Sequence, residues 1–340
     1  MNLKIHHYQL PILECFPRAH SGKGVLLALE GENNQFGYAD LHPWTTLGDL
    51  DVHEQLRLLQ QGTPTLQTLL SLEYANRDLQ AKVNKSGGIR SLKEIKNHYL
   101  VLENLTTMDH LENFLIKTFK GHTLLLKLKL TPQSLTSLPS LLNSAANQYP
   151  FIRWRLDANS LLNFQEICLF WKKLSDQTQK QIQFIEDPCL YDRKSWMNLE
   201  NEGIPLAIDF EIKNWKNSKE LTSPTPSGKT IFVLKPAIQN MNQWKEFFLL
   251  NPHYFMITSY LDHPVGLLHA LWTAESFYEI FPKYLLPCGL SFPFYQQQLD
   301  QIWDGLSLDP IHHSWSTENS LGIGYSQILK ELPWQTLNTL

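Results

Sequence analysis

Between His98 and Leu290 eight short apolar runs are separated by helix-like segments. The runs are HYLVLENL, TLLLKLKL, IRWRLDAN, IQFIEDP, PLAIDF, TIFVLKPA, YFMITSY and LPCGL. Segments such as NFQEICLFWKKLSDQ and GLLHALWTAESFYEIFP lie between them, with apolar residues at three- and four-residue steps, the spacing of a helix that buries one face. Near-continuous apolar runs of strand length suit strands covered on both faces. Parallel strands need long crossovers, which helices supply. The pattern therefore predicts βα units in an α/β fold, closing into a (β/α) barrel.

The flanking regions lack this rhythm. GVLLALEGENNQFGYADLHP reads as two strands around a Gly/Asn turn, followed by helix from Asp51 to about Lys82, broken near QGTPT, and by a linker at NKSGG. The expected division is an N-terminal α+β domain over residues 1–90, joined by the C-terminal segment 293–340, and a barrel over 91–292.

Composition narrows the function classes. A net charge of −4 without a basic, aromatic-interleaved stripe argues against a nucleic-acid partner. The four cysteines, Cys15, Cys168, Cys189 and Cys288, form no CxxC pair, as expected of a reduced cytoplasmic chain rather than a disulfide scaffold or zinc ribbon. No signal-peptide h-region and no run of membrane-spanning length is evident. The expectation is a cytoplasmic protein without membrane association, a monomer or small homo-oligomer acting on a small molecule.

In a barrel of this kind chemistry sits at the carboxyl ends of the strands. Five consecutive runs end there in ionisable groups: Lys127 and Lys129, then Asp157 followed by Asn159, then Glu186, Asp209 and Lys235. Each has an ordinary explanation taken singly. Asp157 or Asp209 could cap the following helix, Glu186 and Asp187 could form a solvated turn, and Lys235 could extend outward. Jointly they place three carboxylates on one rim, where without a cation they would repel. A hard divalent ion removes that repulsion, and oxygen ligands without Cys or His favour Mg²⁺, or Mn²⁺ in its place. Lys127 and Lys129 would face Lys235 across the ion, and crowding by Lys127 would suit Lys129 to act as a base. A Schiff-base lysine at Lys235 is the alternative chemistry.

A KxK strand followed by Asp, Glu and Asp on the next three strands and Lys on the sixth resembles the enolase superfamily, in its muconate-lactonizing-type subgroup. FGYADLHPW resembles that family's N-terminal capping motif, while RLDAN and FIEDP are most similar to the subgroup's aromatising dehydratases. The resemblance implies a modified (β/α)7β TIM-like barrel with an α+β capping domain. It implies Mg²⁺ on Asp157, Glu186 and Asp209, with Lys129 as base, Lys235 stabilising the anionic intermediate and Lys127 tuning Lys129. The implied reaction is syn dehydration of 2-succinyl-6-hydroxy-2,4-cyclohexadiene-1-carboxylate in menaquinone biosynthesis. Arg155, Asn159, Thr258, Ser259 and Gly289 are the implied substrate or shell contacts. A racemase, dipeptide epimerase or cycloisomerase on the same scaffold is the alternative reading. His263 is a further candidate for substrate contact, whereas the paired His6/His7 and His312/His313 are expected at the surface.

Overall fold

The computed structural model describes residues 2–10, 22–90, 95–101, 105, 107–118, 123–217, 228–290, 307–309, 314–316 and 321–337; His312 and His313 lie outside them. Strands β1 (Asn2–Gln9), β2 (Lys23–Glu30) and β3 (Phe36–Leu41) pair antiparallel, and the short strand Gln335–Thr336 adds to the free edge of β1. Helix α1 (Val52–Gln60) starts at Asp51, whose carboxylate accepts from the Glu54 N–H, and α2 (Leu66–Val83) starts at Thr65 in the same way. Ala75 and Leu79 of α2 pack on Leu29 and Ala39 of the sheet. At Gly37 a β-carbon would lie 1.9 Å from the Ala75 carbonyl oxygen, so this close approach requires glycine.

The second sheet is parallel. It runs β4 (Tyr99–Leu100), β5 (Leu124–Lys129), β6 (Ile152–Asp157), β7 (Ile182–Glu186), β8 (Leu206–Ile208), β9 (Ile231–Leu234) and β10 (Phe255–Ile257), each beside its sequence neighbour. The connections carry α3 (Met108–Thr118), α4 (Leu138–Gln148), α5 (Phe164–Lys172), α6 (Asp176–Gln181), α7 (Arg193–Asn201), α8 (Ile212–Asn217) and α9 (Met241–Leu250); α10 (Pro264–Ile280) follows β10. The eighth apolar run closes the ring. Leu285 and Gly289 bridge Phe255 and Thr258 in parallel on one side, and Cys288 bridges Asn97 on the other. All eight runs read from the sequence thus become barrel staves.

Strand alternation sorts side chains into two cores. Ile185, Leu206, Ile208, Phe232, Leu234, Phe255 and Ile257 join the large core under the helices. Phe184, Ala207, Ile231, Val233 and Met256, one position out of phase, form a separate cluster that fills the barrel. Among the described residues, no helix is long and apolar enough to cross a membrane.

Candidate active site

The same alternation places the charged residues. Lys129 stands opposite Asp157 in the β5–β6 register, and Asp157 stands opposite Glu186 in β6–β7. Glu186 pairs with Ala207 and Ala207 with Ile231. Asp209 lies two residues beyond Ala207, and Lys235 lies four beyond Ile231. Steps of two preserve the face, so Lys127, Lys129, Asp157, Glu186, Asp209 and Lys235 all share the inward parity of the packed cluster beneath them. That is why the two lysines alternate with Leu126, Leu128 and Leu130, which face the helices.

The ammonium and carboxylate groups meet. Lys127 Nζ lies 2.7 and 2.8 Å from the two Glu186 oxygens and 2.9 Å from Asp157 Oδ2. Lys129 Nζ donates to the same Asp157 oxygen at 2.7 Å, and Lys235 donates to Asp209 Oδ2. Burial alone would lower the pKa of the Lys127 ammonium, but the Asp157 and Glu186 carboxylates outweigh it and the net shift is upward. Lys235 follows the same logic, with Asp209 as the deciding partner. For Asp157 burial acts upward, and Lys127 and Lys129 overturn it, holding the carboxyl well below its usual range. Glu186 differs: burial and the neighbouring Asp157 and Asp209 carboxylates push it up to about 7 against the pull of Lys127.

Asp187 proves structural. Rather than forming a solvated turn with Glu186, both are about 1% exposed. The Asp187 carboxylate accepts from the backbone N–H groups of Asp209 and Phe210 at 3.0 and 2.8 Å. It thereby fixes where Asp209 leaves β8. Neither Asp157 nor Asp209 caps the next helix; Asn163 caps α5. The chain leaves β6, β7 and β10 through residues with positive φ, at Asn159 (47°), Ser160 (56°), Asp187 (42°) and Leu261 (54°). Such backbone costs about 1–3 kcal/mol per residue and clusters at functional sites.

These side chains open onto a cavity that is continuous with solvent. Lys127, Lys129, Asp157, Asn159, Asp209, Lys235, Thr258, Ser259 and Gly289 line it, and Glu186 lies behind Lys127. Arg155 departs from the sequence expectation of a substrate contact. It points inward but sits one layer deeper, fully buried and outside the cavity lining, because two residues before Asp157 is one pleat further down the barrel. His263 also stays out of the cavity, where its ring accepts from the Val265 N–H at the start of α10.

Sequence reasoning missed His98, Leu100 and Phe210 in the lining, together with Trp44 and Leu47 from the loop after β3. That loop is clamped to the barrel. Trp44 Nε1 donates to the Tyr260 carbonyl at 2.8 Å, and the Tyr260 hydroxyl donates to Asp49 at 2.9 Å. No local periodicity marks these contacts, although an aromatic beside proline in HPW was a signal of sorts.

The carboxylates suit a hard divalent cation. Lys127 Nζ already touches Asp157 and Glu186 at once, so a single positive centre between them is geometrically possible, and Asp209 supplies a third oxygen donor on the next strand. Each carboxylate is drawn to a lysine, and no three His, Cys, Asp or Glu side chains among the described residues stand at ligating distance.

Comparison with known proteins agrees with this architecture. Residues 3–81 match the family described as O-succinylbenzoate synthase, N-terminal domain. The chain is 29% identical over 334 residues to an o-succinylbenzoate synthase of Bdellovibrio bacteriovorus, covering 96% of this chain and 94% of the relative. By structure it is similar to an enolase-superfamily member from Listeria innocua, with a TM-score of 0.71, 16% identity and 99% of both chains covered. The o-succinylbenzoate synthase of Thermosynechococcus elongatus, solved with Mg in its active site, superposes with a TM-score of 0.60 at 18% identity, covering 86% of this chain and 95% of that one. The chain shares its fold with enolase-superfamily members, and both its N-terminal region and its full length are similar to o-succinylbenzoate synthases.

Proposed function

We propose that the cavity performs the o-succinylbenzoate synthase reaction: syn dehydration of 2-succinyl-6-hydroxy-2,4-cyclohexadiene-1-carboxylate to 2-succinylbenzoate, a step of menaquinone biosynthesis. The observation that carries this reading is the placement of Lys129 and Lys235 on β5 and β9, half a barrel apart, with Asp157 and Asp209 between them on one cavity wall. Asp157, Glu186 and Asp209 would hold Mg²⁺, with Mn²⁺ as a substitute. The ion when bound supplies Lewis-acid stabilisation of negative charge on the substrate carboxylate.

Lys129, as the free amine, takes the proton alpha to that carboxylate. The resulting ammonium then protonates the hydroxyl leaving from the same ring face, and the aromatic product drives the step forward. Lys235 keeps its proton, as the upward shift imposed by Asp209 favours, and stabilises the anion from the opposite face. Lys127 orients Asp157 and Glu186. Asn159, whose backbone N–H donates to Asp157 at 3.2 Å, orders that carboxylate, while Thr258, Ser259 and Gly289 border the succinyl chain. Residues 1–90 with 293–340 serve as the cap over a barrel of 91–292; the described pairing of Gln335–Thr336 with β1 supports that division. The enzyme works in the cytoplasm, as a monomer or small homo-oligomer, without nucleic acid.

Purified protein with Mg²⁺ and the cyclohexadiene substrate should generate the ultraviolet absorbance of the aromatic product, and EDTA should abolish it. Full activity in EDTA removes the metal from the mechanism; exchange of the alpha proton in D₂O without dehydration points instead to a racemase or epimerase.

A further inference from the structure

We infer that His98 is a neutral hydrogen-bond donor of fixed tautomer, presenting its Nε2–H to an oxygen of the substrate's succinyl chain, and that Arg155 is the positioning residue that fixes it. The substrate half of this inference rests on the function proposed above; the tautomer does not.

Arg155 Nη1 lies 2.7 Å from His98 Nδ1. A guanidinium has only donors, so Nδ1 must accept. A neutral imidazole that accepts at Nδ1 carries its proton on Nε2, and a doubly protonated ring would set N–H against N–H. Arginine keeps its proton in proteins, so Arg155 is a cation at neutral pH. Its head is pinned from several strands, by Gln183 Oε1 at 2.6 Å, Met256 Sδ at 3.1 Å and the Pro287 carbonyl at 2.7 Å. Burial, and then the positive charges of Arg155 and Lys127, hold the His98 pKa well below the usual histidine range, which agrees with a ring that stays neutral.

The ring is equally constrained in position. The His98 backbone N–H donates to the Cys288 carbonyl at 3.0 Å. A β-carbon on Gly289 would lie 2.8 Å from His98 Cε1, so the glycine makes room for the imidazole. His98 lines the cavity beside Gly289 and Thr258. Among the described residues no side chain or backbone group accepts from Nε2, yet Nε2 is not one of the buried polar atoms left without a partner. The donor therefore opens to the cavity. It belongs to the wall of β4, β10 and the closing run, away from the β6–β8 wall that carries the carboxylates, so it faces the part of the ligand distal to the ring carboxylate.

Two measurements test this on the Mg²⁺-loaded, full-length protein. In calorimetry with 2-succinylbenzoate and with benzoate, His98→Leu should weaken 2-succinylbenzoate about tenfold, the worth of one hydrogen bond, and leave benzoate unchanged. His98→Gln, which keeps an N–H donor on a side chain of similar reach, should recover most of the loss. Equal affinity of His98→Leu for 2-succinylbenzoate, or an equal loss with benzoate, overturns the assignment to the succinyl chain. Failure of the wild type to bind 2-succinylbenzoate instead counts against the proposed function. Separately, ¹⁵N-histidine NMR of the ligand-free wild type, with His98 assigned by its loss in His98→Gln, should show the Nε2–H tautomer from pH 6 to pH 8. An Nδ1–H or doubly protonated ring in that range overturns the fixed donor whatever the substrate.

Discussion

Two buried clusters of carboxylates, built from the same residue types, reach opposite electrostatic solutions. At the cavity, Asp157, Glu186 and Asp209 each meet a lysine. At the seam between the antiparallel sheet and α10, Asp40 and Asp262 approach from either side of Gly266, where a β-carbon would lie 2.9 Å from one and 2.4 Å from the other. No lysine or arginine among the described residues forms an ion pair with either. Asp40 is satisfied by the Tyr8 hydroxyl at 2.6 Å and the His263 N–H at 2.9 Å, and Asp262 Oδ1 is buried without a partner. Burial raises the Asp262 pKa to about 7, and burial with the charge of Asp262 raises Asp40 well above the carboxylate range. The cavity sets a lysine against every carboxylate, although Glu186 still rises to about 7, whereas the seam has no cation among the described residues and favours the protonated acids. A buried acid becomes a candidate ligand when a cation can reach it; otherwise it becomes a neutral tie between elements.

The contrast can be probed by removing one group at a time. Lys129→Ala should cut kcat by about 10²- to 10⁴-fold, the usual contribution of a general base, as read from product absorbance; near-normal turnover would take the cavity lysine out of the chemistry. Asp209→Asn should raise the Mg²⁺ concentration for half-maximal activity by about 100-fold, comparable to the upper effect of losing a shell residue. At the seam the expected change is in stability. Because the folded-state pKa of Asp262 is raised to about 7, the folded protein holds a proton that the unfolded chain has released. Stability therefore falls as pH rises from about 4 through about 7 and levels off above. Between pH 5 and 7 wild type should lose about 2 kcal/mol relative to Asp262→Asn in urea unfolding, with kcat at pH 7 within about twofold for the two proteins. An identical pH profile would mean that Asp262 is ionised after all. Least costly is Arg77→Ala, which removes a guanidinium 3.7 Å from the Trp272 ring centroid; it should lower stability by about 1 kcal/mol without altering the Mg²⁺ requirement.

How far these regions could be read in advance follows from the range of the signals. The eight runs and the Lys–Asp–Glu–Asp–Lys order were visible because periodicity is local and the strand ends fall at predictable places. Asp187 was misjudged because the N–H groups it accepts from, Asp209 and Phe210, lie on the next strand rather than in its own turn. Arg155 looked like a rim residue because RLDAN runs into the site, whereas the pleat puts its head a layer lower. His98 carried no signal at all. Its role depends on Arg155 and Gly289, 57 residues away in one case and on the far side of the barrel seam in the other. Asp40 and Asp262 likewise meet only through the packing of α10 on β3, where the His269 ring contacts the Tyr38 carbonyl at 2.8 Å.

A crystal structure with Mg²⁺ and 2-succinylbenzoate bound would examine the cavity chemistry at its root. One cation should contact Asp157, Glu186 and Asp209, with Lys129 and Lys235 released from their carboxylates and lying on opposite faces of the aromatic ring. A cation bound elsewhere, or two lysines on the same face, would contradict the mechanism.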